Sequence, residues 1–269
     1  MCAVTLAVAH KFMSVPEDPR VQKVIDCLPG ANCGGCGFAG CTDYANAIVL
    51  RGAELNMCAP AGATGANAIA AVMGRAAGEA AERKVAVVMC CGDDTEAVRR
   101  SHYNGITDCA AAHATAGGDK GCVYGCLGYG SCSRVCPVGD IRVVNKFGVE
   151  TGIKMEETPK GKVVVAHWGT ARIDKEHCIA CGKCVKVCPR NLIKLVPASA
   201  EIHVLCSSKD KGPAVKKVCG TGCIGCRLCT KSAGGAITMD GFLAVVDYTK
   251  ELKDEGLIEK CPGKCIRKV

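Results

Sequence analysis

Aromatic residues are scarce in this sequence: Phe, Tyr and Trp make up 4% of its 269 residues, with one tryptophan. A conventional side-chain core is therefore thin, and bound groups are expected to supply much of the folding free energy. The N-terminus has no charged leader with a small-residue cleavage site, which argues against export. Long apolar runs are missing too. "MCAVTLAVAH" stays apolar for about nine residues where a bilayer span needs roughly 20. It reads either as a short surface or core segment or as the end of a membrane anchor. No P-loop or dinucleotide fingerprint follows a strand, and the glycine runs "GYG" and "GGCGFAG" sit in cysteine loops. The six histidines form no Ser/His/Asp or Cys/His arrangement; His102, His113 and His177 read as surface or structural side chains. Hydride chemistry and small-molecule catalysis have no visible site.

Cysteine is what the chain has in excess, with 24 residues. The clearest run is Cys178-x2-Cys181-x2-Cys184-x3-Cys188-Pro189. Three thiolates at this step wrap one face of a cubane iron–sulfur cluster, and the fourth, before proline, turns to a second cluster. Zinc needs only paired Cys-x2-Cys motifs, and disulfides do not require triplets. The sequence thus implies a reducing compartment, the cytoplasm. The formal charge of +8 counts cysteines as neutral. Cubanes held by thiolates are anionic, so several of them offset it, and nucleic acid is not an expected partner. Arg99–Arg100 and Lys216–Lys217 read as solvated surface.

The chain divides into an N-terminal segment (1–26), a four-cysteine domain (27–60), an Ala/Gly-rich stretch (61–84) and two cysteine-rich parts (85–200 and 201–269). The four-cysteine domain carries Cys33-x2-Cys36-x4-Cys41-x16-Cys58, with a glycine-dense loop followed by a helix through "TDYANAIVLRG". In the Ala/Gly-rich stretch the first part reads as linker and the second as helix. An internal repeat follows. "VAVVMC" ending at Cys90 resembles "EIHVLC" ending at Cys206. Cys122, Cys126 and Cys132 step as Cys219, Cys223 and Cys229 do. Each half resembles a two-cluster ferredoxin. The second half has lost one complete crossed ligand set, because Ala233, Glu251, Asp254 and Leu257 stand where Cys136, Cys178, Cys181 and Cys184 stand in the first.

Ligand sets follow from the crossed rule. Cys136 joins Cys178, Cys181 and Cys184; Cys223, Cys226 and Cys229 join Cys261. Cys126, Cys132 and Cys188 need a fourth thiol, because Tyr129 occupies the position of Cys226. Cys122 is the expected fourth ligand and Cys109 the next candidate. Cys90, Cys109, Cys206 and Cys219 form a further cubane if the halves pack face to face; the alternative is free structural thiols. Four or five [4Fe–4S] clusters are expected. The fold expected is α+β, a small helical four-cysteine domain followed by tandem ferredoxin-like units.

The order of motifs resembles a known family. "LPGANCGGCGFAGC" with the later Cys58 is similar to the four-cysteine domain of the Rnf complex's B subunit, a domain shared with the corrinoid iron–sulfur protein. "YNGITDCAA", "GCVYGCLGYGSC", "CIACGKCVKVCP" and "CSSKDKG" followed by "GCIGCRLC" resemble the long, clostridial-type form. The resemblance covers about residues 12–269 in colinear order. It implies an electron-transfer subunit that accepts electrons from reduced ferredoxin and passes them to membrane and flavin subunits for NAD reduction coupled to ion pumping. It also implies attachment to the cytoplasmic side of the membrane. The chain departs from the family pattern in its short N-terminal apolar segment, its erased cluster site and the longer insertion "VETGIKMEETPKGKVVVAHWGTAR". The competing reading is a soluble polyferredoxin serving a hydrogenase or another oxidoreductase. A corrinoid-bound scaffold would need a corrinoid-binding barrel, for which this chain has no room.

Overall fold

The computed structural model describes residues 18–76, 78, 82–158 and 161–269. The apolar N-terminal segment through residue 17, Cys2 within it, lies outside them. The chain forms two compact units, Met1–Ala81 and Glu82–Val269.

The first unit is helical. The helix Pro19–Asp26 starts where Asp18 caps Arg20 N at 2.8 Å and Pro19 pre-sets the first turn. It buries Val21 and Val24, so residues 19–26 belong to this unit's core rather than to an anchor. The helix Cys41–Arg51 ends at Gly52, which takes the left-handed φ of 69° that glycine tolerates. A third helix, Gly62–Met73, buries Ile69 and Ala70 against the first two. The first part of the Ala/Gly-rich stretch, expected as linker, is thus this helix, ended by Gly74 at φ 62° and packed into the core, while residues 77 and 79–81 of the second part lie outside the described residues.

The second unit mixes short helices with antiparallel strand pairs. β1 (Lys84–Val88) pairs with β6 (Ile193–Pro197), and between them in sequence β2 (Ile141–Val144) pairs with β5 (Thr170–Ile173). The same nesting recurs in the C-terminal part. There β7 (Ile202–Val204) pairs with β10 (Ile266–Lys268), enclosing the hairpin of β8 (Ile237–Asp240) and β9 (Leu243–Val246). The long insertion forms a further hairpin of β3 (Gly152–Thr158) and β4 (Gly161–His167). β1 is buried on both faces, as the two-residue period of a strand allows. Val85, Val87 and Met89 enter one apolar cluster with Ile202, Val204 and Ile266; Ala86, Val88 and Cys90 enter another with Ile141 and Ile193. One strand thus carries both cores.

Candidate metal centres

In the first unit, Asn32 sets the cysteine loop. Its Oδ1 accepts from Cys41 N at 2.8 Å, and a Cβ on Gly40 would meet that oxygen at the same distance. Tyr44 fixes the other side: its hydroxyl donates to the Glu54 carbonyl at 2.7 Å and accepts from Met57 N at 3.2 Å, next to Cys58. Cys33, Cys36 and Cys41 lie within electrostatic reach of Cys58, whose pKa rises through burial first and through these thiols as well.

The second unit gathers cysteines at four places. Cys136, Cys178, Cys181 and Cys184 line one cavity together with Asp140 and Asp174. Burial and then the three partner thiols push Cys184 up to about 12. Cys109, Cys126, Cys132 and Cys188 line another. Burial, then Cys126 and Cys109, push Cys132 up to about 12. Cys223, Cys226, Cys229 and Cys261 line a third, of about 310 Å³. The two former cavities are narrower, about 20 and 30 Å³, so a cluster seated in either displaces the thiols outward.

Cys109, the second of the two expected candidates, lines the cavity of Cys126, Cys132 and Cys188, and Cys122 does not. It arrives on the helix Cys109–Ala114, which Asp108 caps through Ala110 N and Ala111 N. Cys109 N donates to Ser131 Oγ at 2.8 Å, and Ser131 Oγ donates to Asp108 Oδ2 at 2.7 Å, which ties this helix to the Cys132 turn. Tyr129 is buried in a small apolar cluster that Cys109 packs against, its hydroxyl donating to Asp119 at 2.6 Å.

Cys122 goes to the fourth place, where the repeats meet. It lies within electrostatic reach of Cys90 and Cys219, and Cys206 and Cys219 are each within reach of Cys90. Backbone hydrogen bonds assemble this group. Cys91 N donates to Leu205 O at 3.2 Å, Val98 N to Val218 O at 2.9 Å, and Gly121 N to Val98 O at 2.8 Å. A Cβ on Gly92 would stand 2.7 Å from Cys219 Sγ, so only glycine admits that thiol. The thiols near one another here differ from the expected set of Cys90, Cys109, Cys206 and Cys219: Cys122 lies among them, and Cys109 lines the neighbouring cavity.

Ala233 and Leu257, at two of the missing ligand positions, are buried in the apolar cluster of β7–β10. Glu251 and Asp254 are exposed; Glu251 pairs with Lys253 at 2.5 Å and Asp254 accepts from Gly256 N at 3.0 Å. Sequence reasoning assigned Cys265 no role, yet it lines the Cys223 cavity. Its thiol, 3.9 Å from Cys261 Sγ, lowers Cys223 to about 6 and Cys261 to about 5 by hydrogen bonding. Arg99 also departs from expectation. It pairs with buried Asp119 and stacks 4.0 Å over the Trp168 ring instead of facing solvent.

Among the described residues no three His, Cys, Asp or Glu side chains converge tightly enough for a single metal ion. Four-thiol sets suit an iron–sulfur cluster, whose loading requires every thiol to ionise and so releases protons.

Comparison with known proteins agrees in class. A family model for an Fe-S cluster matches residues 28–60, and the 4Fe-4S binding domain model matches residues 171–194. The protein is an iron–sulfur electron-transfer subunit. The chain is 41% identical over 98% of its length to the B subunit of the Na(+)-translocating ferredoxin:NAD(+) oxidoreductase complex of Acetobacterium woodii, covering 72% of that protein. It is 37% identical to the B subunit of the proton-translocating ferredoxin:NAD(+) oxidoreductase complex of Clostridium ljungdahlii, over 99% of this chain and 87% of that one. It is 36% identical to the B subunit of the ion-translocating oxidoreductase complex of Methanosarcina acetivorans, over 98% and 91%. The chain belongs to the B-subunit family of Rnf-type ion-translocating oxidoreductase complexes. No helix among the described residues is long and apolar enough to cross a membrane.

Proposed function

We propose that the chain takes electrons from reduced ferredoxin and relays them through five [4Fe–4S] clusters to membrane and flavin-bearing subunits, which reduce NAD and move an ion. The carrying observation is the gathering of the second unit's cysteines into four thiol groups among short two-stranded pairs. Cys33, Cys36, Cys41 and Cys58 hold the first cluster. Cys136, Cys178, Cys181 and Cys184 hold a second (the Cys136 site), and Cys109, Cys126, Cys132 and Cys188 a third (the Cys109 site). Cys90, Cys122, Cys206 and Cys219 hold a fourth (the junction site), and Cys223, Cys226, Cys229 and Cys261 a fifth. The nested strand pairs on either side of the junction are tandem ferredoxin-like units. The chain works on the cytoplasmic face of the membrane.

Ferredoxins are usually acidic, so a basic entry face raises the association rate in a salt-dependent way. Lys186 is exposed and Lys183 partly so beside the Cys136 site, and both serve docking. Arg190, the next basic residue along this loop, is tied inward to backbone carbonyls. Stopped-flow mixing with reduced ferredoxin tests the function: fast electron transfer that slows with added salt is expected. Transfer indifferent to salt removes electrostatic docking, and reduction of the isolated chain by NADH alone removes the relay reading.

A further inference from the structure

Two cations, one buried and one half-buried, lie between the Cys109 site and the junction site. Lys120 is 4% exposed. Its Nζ donates to the carbonyl of Cys126 at 2.8 Å and to that of Gly92, the residue packed against Cys219 Sγ. Arg190 lines the Cys109 cavity. Its guanidinium donates to the carbonyls of Cys122, at 3.0 Å, Gly125 and Gly117, while its Nε is buried with no hydrogen-bond partner. Both cations therefore touch the backbone of a cysteine from one site or the other. The space for them is built in. A Cβ on Gly125 would stand 3.2 Å from Lys120 Nζ, and one on Gly118 would stand 3.2 Å from Arg190 Nη2.

What these cations lack is an anion. Neither makes an ion pair among the described residues. The carboxylate of Asp119 is held through Oδ2 by Arg99 and Tyr129, and that of Asp93 through Oδ1 by Thr95. A charge withdrawn from water and met only by carbonyl dipoles costs several kcal/mol per ion, by order of magnitude. The thiols of Cys90, Cys122 and Cys126, within electrostatic reach of Arg190, offset that cost once ionised. The Cys136 site is surrounded differently, with Asp140 and Asp174 at its edge.

We propose that Lys120 and Arg190 are fixed counterions of the clusters in the Cys109 and junction sites, holding both at higher reduction potential than the cluster of the Cys136 site. The inference rests on the ligand sets proposed above. Each reduction adds one electron, and so one negative charge, to a cluster. A fixed cation in a low-dielectric interior stabilises that added charge without reorganising. The pair then acts as an electron sink within the second unit: electrons arriving at the Cys136 site run downhill to it.

The test is a potentiometric titration of the full, cluster-loaded chain followed by EPR, with Lys120→Met and Arg190→Met beside Lys120→Arg and Arg190→Lys. Iron is counted for each. The neutral variants are expected to keep their iron and to shift at least one cluster tenfold or more toward the oxidised form, which is 59 mV for a one-electron couple. The charge-keeping variants should return toward the parent value, and the Cys136-site signal, identified by its loss in Cys178→Ala, should not move. Midpoints unchanged in both neutral variants overturn the proposal. Iron loss confined to the neutral variants supports it, because charge alone then separates the pairs; iron loss shared by the charge-keeping variants reduces the cations to packing and overturns it. A parent chain with fewer than about 20 irons fails the ligand assignment instead, a result distinct from any of these.

Discussion

Cys109 and Cys122 show how far single residues could be read from spacing. The repeat correctly relates Cys90 to Cys206 and Cys122 to Cys219, and the structure brings all four together, one strand-end thiol and one loop thiol from each half. Spacing favours Cys122 beside Cys126, Cys132 and Cys188 because Tyr129 leaves a ligand missing there and Cys122 is the nearest thiol in sequence. Cys109, on the capped helix Cys109–Ala114, is the thiol that lines that cavity. The two substitutions should therefore damage different clusters. Cys109→Ala is expected to remove the EPR signal that Cys132→Ala removes, and Cys122→Ala the one that Cys206→Ala removes. The crossed pattern, with Cys122→Ala matching Cys132→Ala, would restore the spacing-based assignment.

Strands and helices were legible where pattern and capping agreed. The helix through Cys41–Arg51 with its closing Gly52 follows from sequence, as does the repeated strand before Cys90 and Cys206. The helix Gly62–Met73 was displaced toward the second part of its stretch, because alanine marks helix propensity without fixing where a helix starts. Since that helix and Pro19–Asp26 close the first unit's own core, Cys33→Ala should cost about four irons and leave the remaining clusters intact. Iron loss across the whole chain would show that this unit does not load on its own. A second element-level feature was invisible in the sequence. His203 on β7, fully buried, accepts from Lys175 Nζ at 3.2 Å and donates to Tyr248 at 2.9 Å, tying the two repeats. Burial, reinforced by Lys175, lowers its pKa from 6.5 to about 4. The folded chain thus binds this proton less readily than the unfolded one. Stability is complete above pH 6.5 and falls by roughly 3 kcal/mol as pH drops toward 4, where the loss levels off. His203→Gln should flatten this part of the pH–stability curve measured by anaerobic thermal unfolding; an unchanged slope would place the acid sensitivity elsewhere.

At the scale of the whole chain, the scarcity of aromatics and the abundance of cysteine have one physical meaning. Short strand pairs and helices of four to seven residues bring the second unit's thiols into groups, and clusters complete a core that side chains alone leave thin. The relay function depends on how many of those groups are loaded. The five proposed sets stand beside one site whose ligand positions are filled by Ala233 and Leu257 or exposed as Glu251 and Asp254. Anaerobic counting of iron and acid-labile sulfide in the reconstituted full chain tests this most directly. About 20 of each per chain is the expected result. About 16 would leave one of the five sets empty, and about 24 would mean that the erased site still holds a cluster; either result contradicts the five-cluster relay.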